Sequence, residues 1–140
     1  MNRTMLNAGE TAIVNWTVTT EDLASALSSD PQDHFPDVFA TSRMIALMEL
    51  AAARAMRSLL EEGELSVGVT VAITHSAPTA CGETIRATAQ YIVQEGKFYL
   101  FDVRAEDAGG EIGRGTHRRA IVATNRLLEG ARRRATFVTQ

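Results

Sequence analysis

A single cysteine, only three prolines and no apolar run near the ~20 residues of a membrane-spanning helix set the first limits on this 140-residue chain. Cys81 by itself excludes an intramolecular disulfide. Basic charge is not in surplus either: 14 Lys and Arg stand against 17 Asp and Glu, a net charge of −3, so nothing points to a nucleic-acid partner. The three histidines, His34, His75 and His117, fall with Cys81 into no metal-ligating spacing, and no metal is expected. The opening "MNRTMLNAGE" lacks the apolar core of a secretory signal, so a soluble, cytoplasmic protein with no membrane association is expected. No repeat, linker or low-complexity stretch divides residues 1–140, which read as one domain. At 45% hydrophobic and 22% charged residues, the chain has ordinary globular composition and enough length to bury a core.

What is present is a change of period. In "VFATSRMIALMELAAARAMRSLL", residues 38–60, Met44, Leu47, Met48, Ala51, Ala55 and Leu59 follow the i, i+3, i+4, i+7 spacing of a buried helical stripe. Thr41 or Ser42 is available as N-cap, and Gly63 is placed to end the helix. Before it, "TAIVNWTVT" alternates as a half-buried strand, followed by a polar piece with room for one helical turn at Asp22–Leu27. After it, Val67, Val69, Val71, Ile73 and His75 alternate, as do Ile85, Ala87, Ala89, Tyr91 and Val93. "FYLFDVRAED" and "IGRGTHRRAIVAT" give two more strands, set off by the turn sequences "QEGK" and "AGGE". Five strands with short reversals imply an antiparallel sheet, and the long helix is left to cover one face, an α+β layer. The tail shows one basic cluster, Arg132–Arg134.

Three polar residues sit where apolar ones belong. Glu49 lies on the shoulder of the helix stripe, beside Ile45, Ala52 and Met56. His75 ends an inward-facing series where Pro78 makes the strand give out. Either it is a histidine at the edge of the core satisfied by a backbone carbonyl, or it shares a pocket with Glu49 as an acid–base pair. Thr41 is either the helix cap or, if Ser42 takes that role, a hydroxyl in the positive potential of a helix N-terminus. "AGGEIGRG" lies between strands with no helix behind it and fails as a phosphate loop. "RGTHRR" and "ARRR" read as solvated surface, with a nucleotide-phosphate contact as the functional alternative. Cys81, in a turn with no evident base beside it, reads as structural or incidental.

The blocks "FPDVFATSRMIALMELAAARAM", "GVTVAITHSA" and "EIGRGTHRRAIV" resemble, in register from about Phe35 to Val122, the fluoroacetyl-CoA thioesterase family of small hotdog-fold acyl-CoA hydrolases. The resemblance implies a hotdog fold, with an antiparallel sheet wrapped around one long central helix. It also implies a homodimer with active sites at the subunit interface. No cofactor is implied beyond the coenzyme A thioester as substrate. Its catalytic threonine, glutamate and histidine fall on Thr41, Glu49 and His75, a glycine lining the acyl site on Gly68, and an arginine near the substrate on Arg119. Phe35 and Phe39 keep two of the aromatics at the helix entrance. Gln32 and Arg43 stand where further aromatics would cover a fluoroacyl group, and Leu50 where a tryptophan would follow the glutamate. The resemblance therefore carries thioester hydrolysis of a short or compact acyl group better than selection for fluorine. Arg119 and the basic tail are candidates for the phosphate end of coenzyme A. The alternatives are a hotdog protein that binds acyl-CoA or another small molecule without hydrolysis, and a hydratase, whose Asp-x-Asn-x-x-His arrangement is absent.

Overall fold

The computed structural model of the chain describes residues 5–138. Strand β1 (Thr11–Thr17) leads through two 3-10 turns, Thr20–Asp22 and Ala24–Leu27, into the long helix α1 (Thr41–Ala55). A further 3-10 turn at Arg57–Leu59 and Gly63, at φ +81°, bring the chain into β2 (Glu64–His75). Then come β3 (Thr84–Glu95), β4 (Phe98–Asp107), β5 (Gly110–Ala123) and a second helix, α2 (Thr124–Val138). The five-stranded antiparallel sheet and the central helix match the expected hotdog fold. Helix α2 was not expected. Its Ala, Leu and Arg content favours helix, but Leu127 and Leu128 are exposed, so the segment has little of the buried stripe that betrays α1. Neither helix is long and apolar enough to cross a membrane.

The sheet runs β1-β3-β4-β5-β2, with every neighbouring pair antiparallel. Glycine turns make tight hairpins of β3–β4 and β4–β5, Gly96 adopting φ +63° and Gly110 φ +118°. The expectation of short reversals throughout fails at one place. β2 pairs with β5 at the sheet edge, so residues 76–83 cross to the far side, where β3 starts. That crossing passes the start of α1: the Thr79 carbonyl accepts the Phe39 N–H at 2.9 Å, and the buried Thr79 hydroxyl donates to Asp107 at 2.7 Å.

Met44, Leu47, Met48 and Ala51 of α1 are at most 4% exposed and pack on the alternating residues of the strands. Small residues directly opposite one another, Ala87 against Ala105, let the helix lie close to the sheet. A β-bulge interrupts β2: the register against β5 shifts between Gly68 and Thr70, leaving Val69 as the extra residue. The alternation read from Val67 through His75 therefore changes phase. Ile73 and His75 face the same way as Gly115 and Gly113 of β5, but beyond the bulge it is Gly68, not Val67, that lies opposite the buried Arg119.

Candidate active site

Helix α1 begins at Thr41, and its N-cap is Ala40, whose methyl group can make no capping hydrogen bond. The expected capping role for Thr41 or Ser42 is thus not taken up, and the Thr41 hydroxyl is free for another partner. It lies 2.7 Å from Nδ1 of His75, the last residue of β2. The second ring nitrogen, Nε2, is buried with no hydrogen-bond partner among the described residues. A buried imidazole nitrogen left unpaired is costly and rare, and such atoms concentrate where chemistry is done. Thr41 and His75 stand at the rim of an open cleft of ≈ 400 Å³ walled by Ala24, Pro36, Val38, Phe39, Ala77 and Pro78. The cleft is apolar apart from Thr41, His75 and Ser76. It also lies at the positive end of the α1 dipole, where developing negative charge is stabilised.

Two turns further along α1, about 12 Å by helix rise, Glu49 belongs to a second cluster. Its side chain is 40% exposed, and Oε2 lies 3.5 Å from Nη1 of Arg119. The Arg119 side chain is 8% exposed and otherwise committed: Nε donates to the Ser66 hydroxyl at 3.0 Å and Nη2 to the Ser66 carbonyl at 2.9 Å. Nη1 also lies 3.1 Å from Nε2 of His117, whose Nδ1 is 2.9 Å from the Thr70 carbonyl. Burial lowers the His117 pKa, Arg119 acts in the same sense, and Thr70 and Glu49 oppose them. Gly68 completes this cluster. A Cβ there would fall 2.5 Å from Glu49 Oε2, so the absence of a side chain is what gives the carboxylate its place.

Within one chain, then, the six residues of the sequence reading that can be assigned to a cluster or wall fall into two groups: Thr41, His75 and Phe39, and Glu49, Gly68 and Arg119. The expectation that Glu49 and His75 converge on one pocket is not met inside the chain, where no hydrogen bond joins them among the described residues. Seven positions of β2 with one bulge separate Gly68 from His75, roughly 20 Å by strand rise. Phe39 is buried as a cleft wall, whereas Phe35 is 49% exposed and outside the lining. Arg119 is turned inward onto protein partners, so it is not presented to solvent as a phosphate clamp. Arg43 is tied elsewhere as well. Its Nε donates to Asp22 at 2.8 Å, and its guanidinium lies 6.0 Å from the Trp16 ring. Gln32 is exposed, and neither it nor Arg43 lines the cleft.

The sequence reading missed Asp22, Ser66 and His117. Asp22 is 1% exposed and accepts from Trp16 Nε1, from the Thr19 N–H and hydroxyl, and from Arg43, while its carbonyl holds the Ala40 N–H. An acid in a polar stretch gives no sign of such a role. His117 did carry a signal: it sits at an inward position of β5, between Gly115 and Arg119, once the phase of that strand is known.

A profile of the FlK family, described as fluoroacetyl-CoA-specific thioesterase, matches residues 18–125. The fluoroacetyl-CoA thioesterase of Streptantibioticus cattleyicolor is 47% identical over 88 residues, 63% of this chain and 63% of that enzyme's length. A solved structure of the fluoroacetyl-CoA thioesterase FlK superposes with a TM-score of 0.88 at 36% identity, covering 93% of this chain and 98% of that one. A threonine-to-serine variant of FlK in complex with acetyl-CoA superposes at 0.87, with 35% identity and 92% and 98% coverage. A Thermus thermophilus member of the thioesterase superfamily follows at 0.84, with 26% identity and 96% and 97% coverage. The chain belongs to the fluoroacetyl-CoA-specific thioesterase family.

Proposed function

We propose that this protein hydrolyses the thioester of a short or compact acyl group carried by coenzyme A, in a homodimer whose active sites lie between the subunits. The observation that carries this reading is the 2.7 Å contact of Thr41 with His75 at the rim of an acyl-sized cleft, with Nε2 of the imidazole unpaired. At ≈ 400 Å³ the cleft lies near the small end of ligand pockets, which suits an acyl group of a few carbons. Membership of the family supplies the reaction class, and acetyl-CoA bound to a variant of FlK supports the size of the acyl group. Selection for fluorine has less support, because Gln32 and Arg43 lie outside the cleft wall.

Two of the catalytic residues stand together at the cleft; the third reaches it from a second copy. β2 is an edge strand, and its Val69 and Val71 are 46% and 43% exposed. An unpaired edge carrying apolar side chains is a template for another strand. Antiparallel pairing of two β2 edges about Val71 brings the partner's His75 level with Ser66–Gly68, and so beside Glu49 of the first copy. Glu49 has one oxygen held by Arg119, and the other has no partner among the described residues. That free oxygen takes the proton from a water that attacks the thioester carbonyl. The oxyanion forms near the start of α1, and the tetrahedral adduct collapses with cleavage of the C–S bond. His75, oriented by Thr41, receives that proton from Glu49 and delivers it to the departing sulfur, leaving the free acid and coenzyme A with both side chains restored.

The test is turnover of a panel of short acyl-CoAs, followed by release of free thiol. Wild-type protein is expected to hydrolyse at least one member, and Glu49→Ala to lose on the order of 10²–10⁴-fold in kcat. No turnover above the Glu49→Ala control removes the assignment. Tight binding with intact acyl-CoA recovered afterwards would put a non-catalytic binder in its place.

A further inference from the structure

His117 is among the most deeply buried polar side chains of the protein, 1% exposed, and none of the catalytic steps above uses it. Both of its ring nitrogens are engaged, and the chemistry of the partners fixes how. The Thr70 carbonyl, 2.9 Å from Nδ1, can only accept, so Nδ1 carries the proton and donates. Nη1 of Arg119, 3.1 Å from Nε2, can only donate, so Nε2 is bare and accepts. One neutral tautomer satisfies both contacts. The doubly protonated ring would set an N–H against the N–H of Arg119, and the other neutral tautomer would lose both bonds. The β2 bulge at Val69 contributes, because it falls immediately before Thr70, whose carbonyl faces the ring.

Arg119 is in turn held on three sides. Ser66 takes Nε and Nη2, His117 takes one hydrogen of Nη1, and Nη1 lies 3.5 Å from Glu49 Oε2 as an ion pair. A guanidinium is planar, so fixing Nε and Nη2 on Ser66 and one Nη1 hydrogen on His117 fixes where the last hydrogen points. We propose that His117 is a positioning residue: as the neutral Nδ1–H imidazole it locks the plane of Arg119, and Arg119 then holds the Glu49 carboxylate in its working orientation. This rests on the thioesterase reading for Glu49's role, but the hydrogen-bond chain itself does not depend on it. It also assigns Arg119 an internal task in place of contact with the phosphates of the substrate.

Two measurements test this together. The first is the kinetics of three variants on a turned-over acyl-CoA. His117→Phe fills the space with neither polar atom. His117→Asn can place a donor toward Thr70, and His117→Gln can place an oxygen where Nε2 accepts from Arg119. Displacement of a catalytic group by about 1 Å costs up to a hundredfold, so His117→Phe and His117→Asn are expected to lose tenfold or more in kcat with KM within about twofold. His117→Gln is expected to recover most of that loss. A merely structural histidine would give variants ranked by melting temperature, with no advantage for glutamine in kcat, and that result would overturn the proposal.

The second measurement needs no activity: the two-bond proton–nitrogen spectrum of 15N-labelled wild-type imidazoles near neutral pH, with His117 identified as the signal that persists in both His34→Gln and His75→Gln. The expected pattern is Nδ1 protonated and Nε2 bare. A protonated Nε2 would overturn the proposal even if all three variants failed to fold. Should wild-type protein hydrolyse no thioester, the enzyme reading falls, while this spectrum still decides whether the His117–Arg119 lock exists.

Discussion

Gly68 has no side chain because the site has no room for one. The Cβ of an alanine there would lie 2.5 Å from Glu49 Oε2 and 3.1 Å from His117 Cε1. The glutamate end is flexible and can give way, so Gly68→Ala is expected to fold with little change in melting temperature yet lose about tenfold or more in kcat. Paired melting and kinetic measurements check this, and an alanine variant with full activity would contradict it. His117 makes a prediction of opposite character. Its pKa is lowered from the ordinary 6.5, first by burial and then by Arg119, while Thr70 and Glu49, the carboxylate facing it from α1, pull the other way. Between that lowered value and 6.5 the unfolded chain binds more protons, so the histidine's contribution to stability is complete above 6.5 and is lost as pH falls through this window. Urea unfolding at neutral pH and near pH 5 is therefore expected to show a larger acid loss for wild type than for His117→Gln; equal losses would contradict it. At this scale Glu49 and His75 were legible as polar residues out of place, but the freedom of the Thr41 hydroxyl was not. It depends on α1 starting one residue after Ala40, and helix boundaries are the part of a sequence that local pattern fixes least.

Among the elements, β2 shows how one inserted residue redirects a strand. Without the bulge at Val69, Gly68 and His75 would point to opposite faces; with it, both face α1. No pattern of apolar residues announced this, because Val67, Val69 and Val71 alternate without interruption in the sequence. The β2–β5 pair also depends on Gly115, where a Cβ would meet the Ala72 carbonyl and come within 2.8 Å of the Ile73 backbone. These are backbone atoms that cannot swing aside, so Gly115→Ala is expected to cost about 1–3 kcal/mol in urea denaturation, in contrast to the mild effect at Gly68. Asp22 ties β1 to the start of α1 through Trp16 and Arg43. Burial works against its charge, but the bonds from Thr19, Trp16 and Arg43 outweigh it and hold the carboxyl below the usual range. Asp22→Ala is expected to destabilise by about 2–3 kcal/mol as those donors lose their acceptor. Strong periodicity made α1, β3 and β4 legible. Helix α2 was missed because it exposes its leucines, and the β2–β3 crossing was missed because spacing along a chain does not say which strands pair.

One feature of the whole molecule points beyond the single chain: an edge strand whose Val69 and Val71 are 46% and 43% exposed. The sequence reading placed both valines inward, since a residue covered by a second copy and one covered by its own core carry the same apolar signal. The proposed dimer gives that edge a partner and joins the two half-sites that a single chain holds apart. A charge at mid-edge should prevent the pairing. Val71→Lys is expected to sediment as a monomer with native circular dichroism and to lose turnover; a dimeric, active variant would argue for a different interface. The most direct test of a shared site mixes two inactive variants, Glu49→Ala and His75→Ala, co-expressed with different tags. If each site takes Glu49 from one copy and His75 from the other, every mixed dimer contains one intact site and one doubly altered site. A random mixture then recovers about a quarter of wild-type kcat, and tag-purified mixed dimers about half. If each site is built within one chain, the mixed dimers contain no intact site, and turnover no higher than that of the parent variants would contradict the interfacial site.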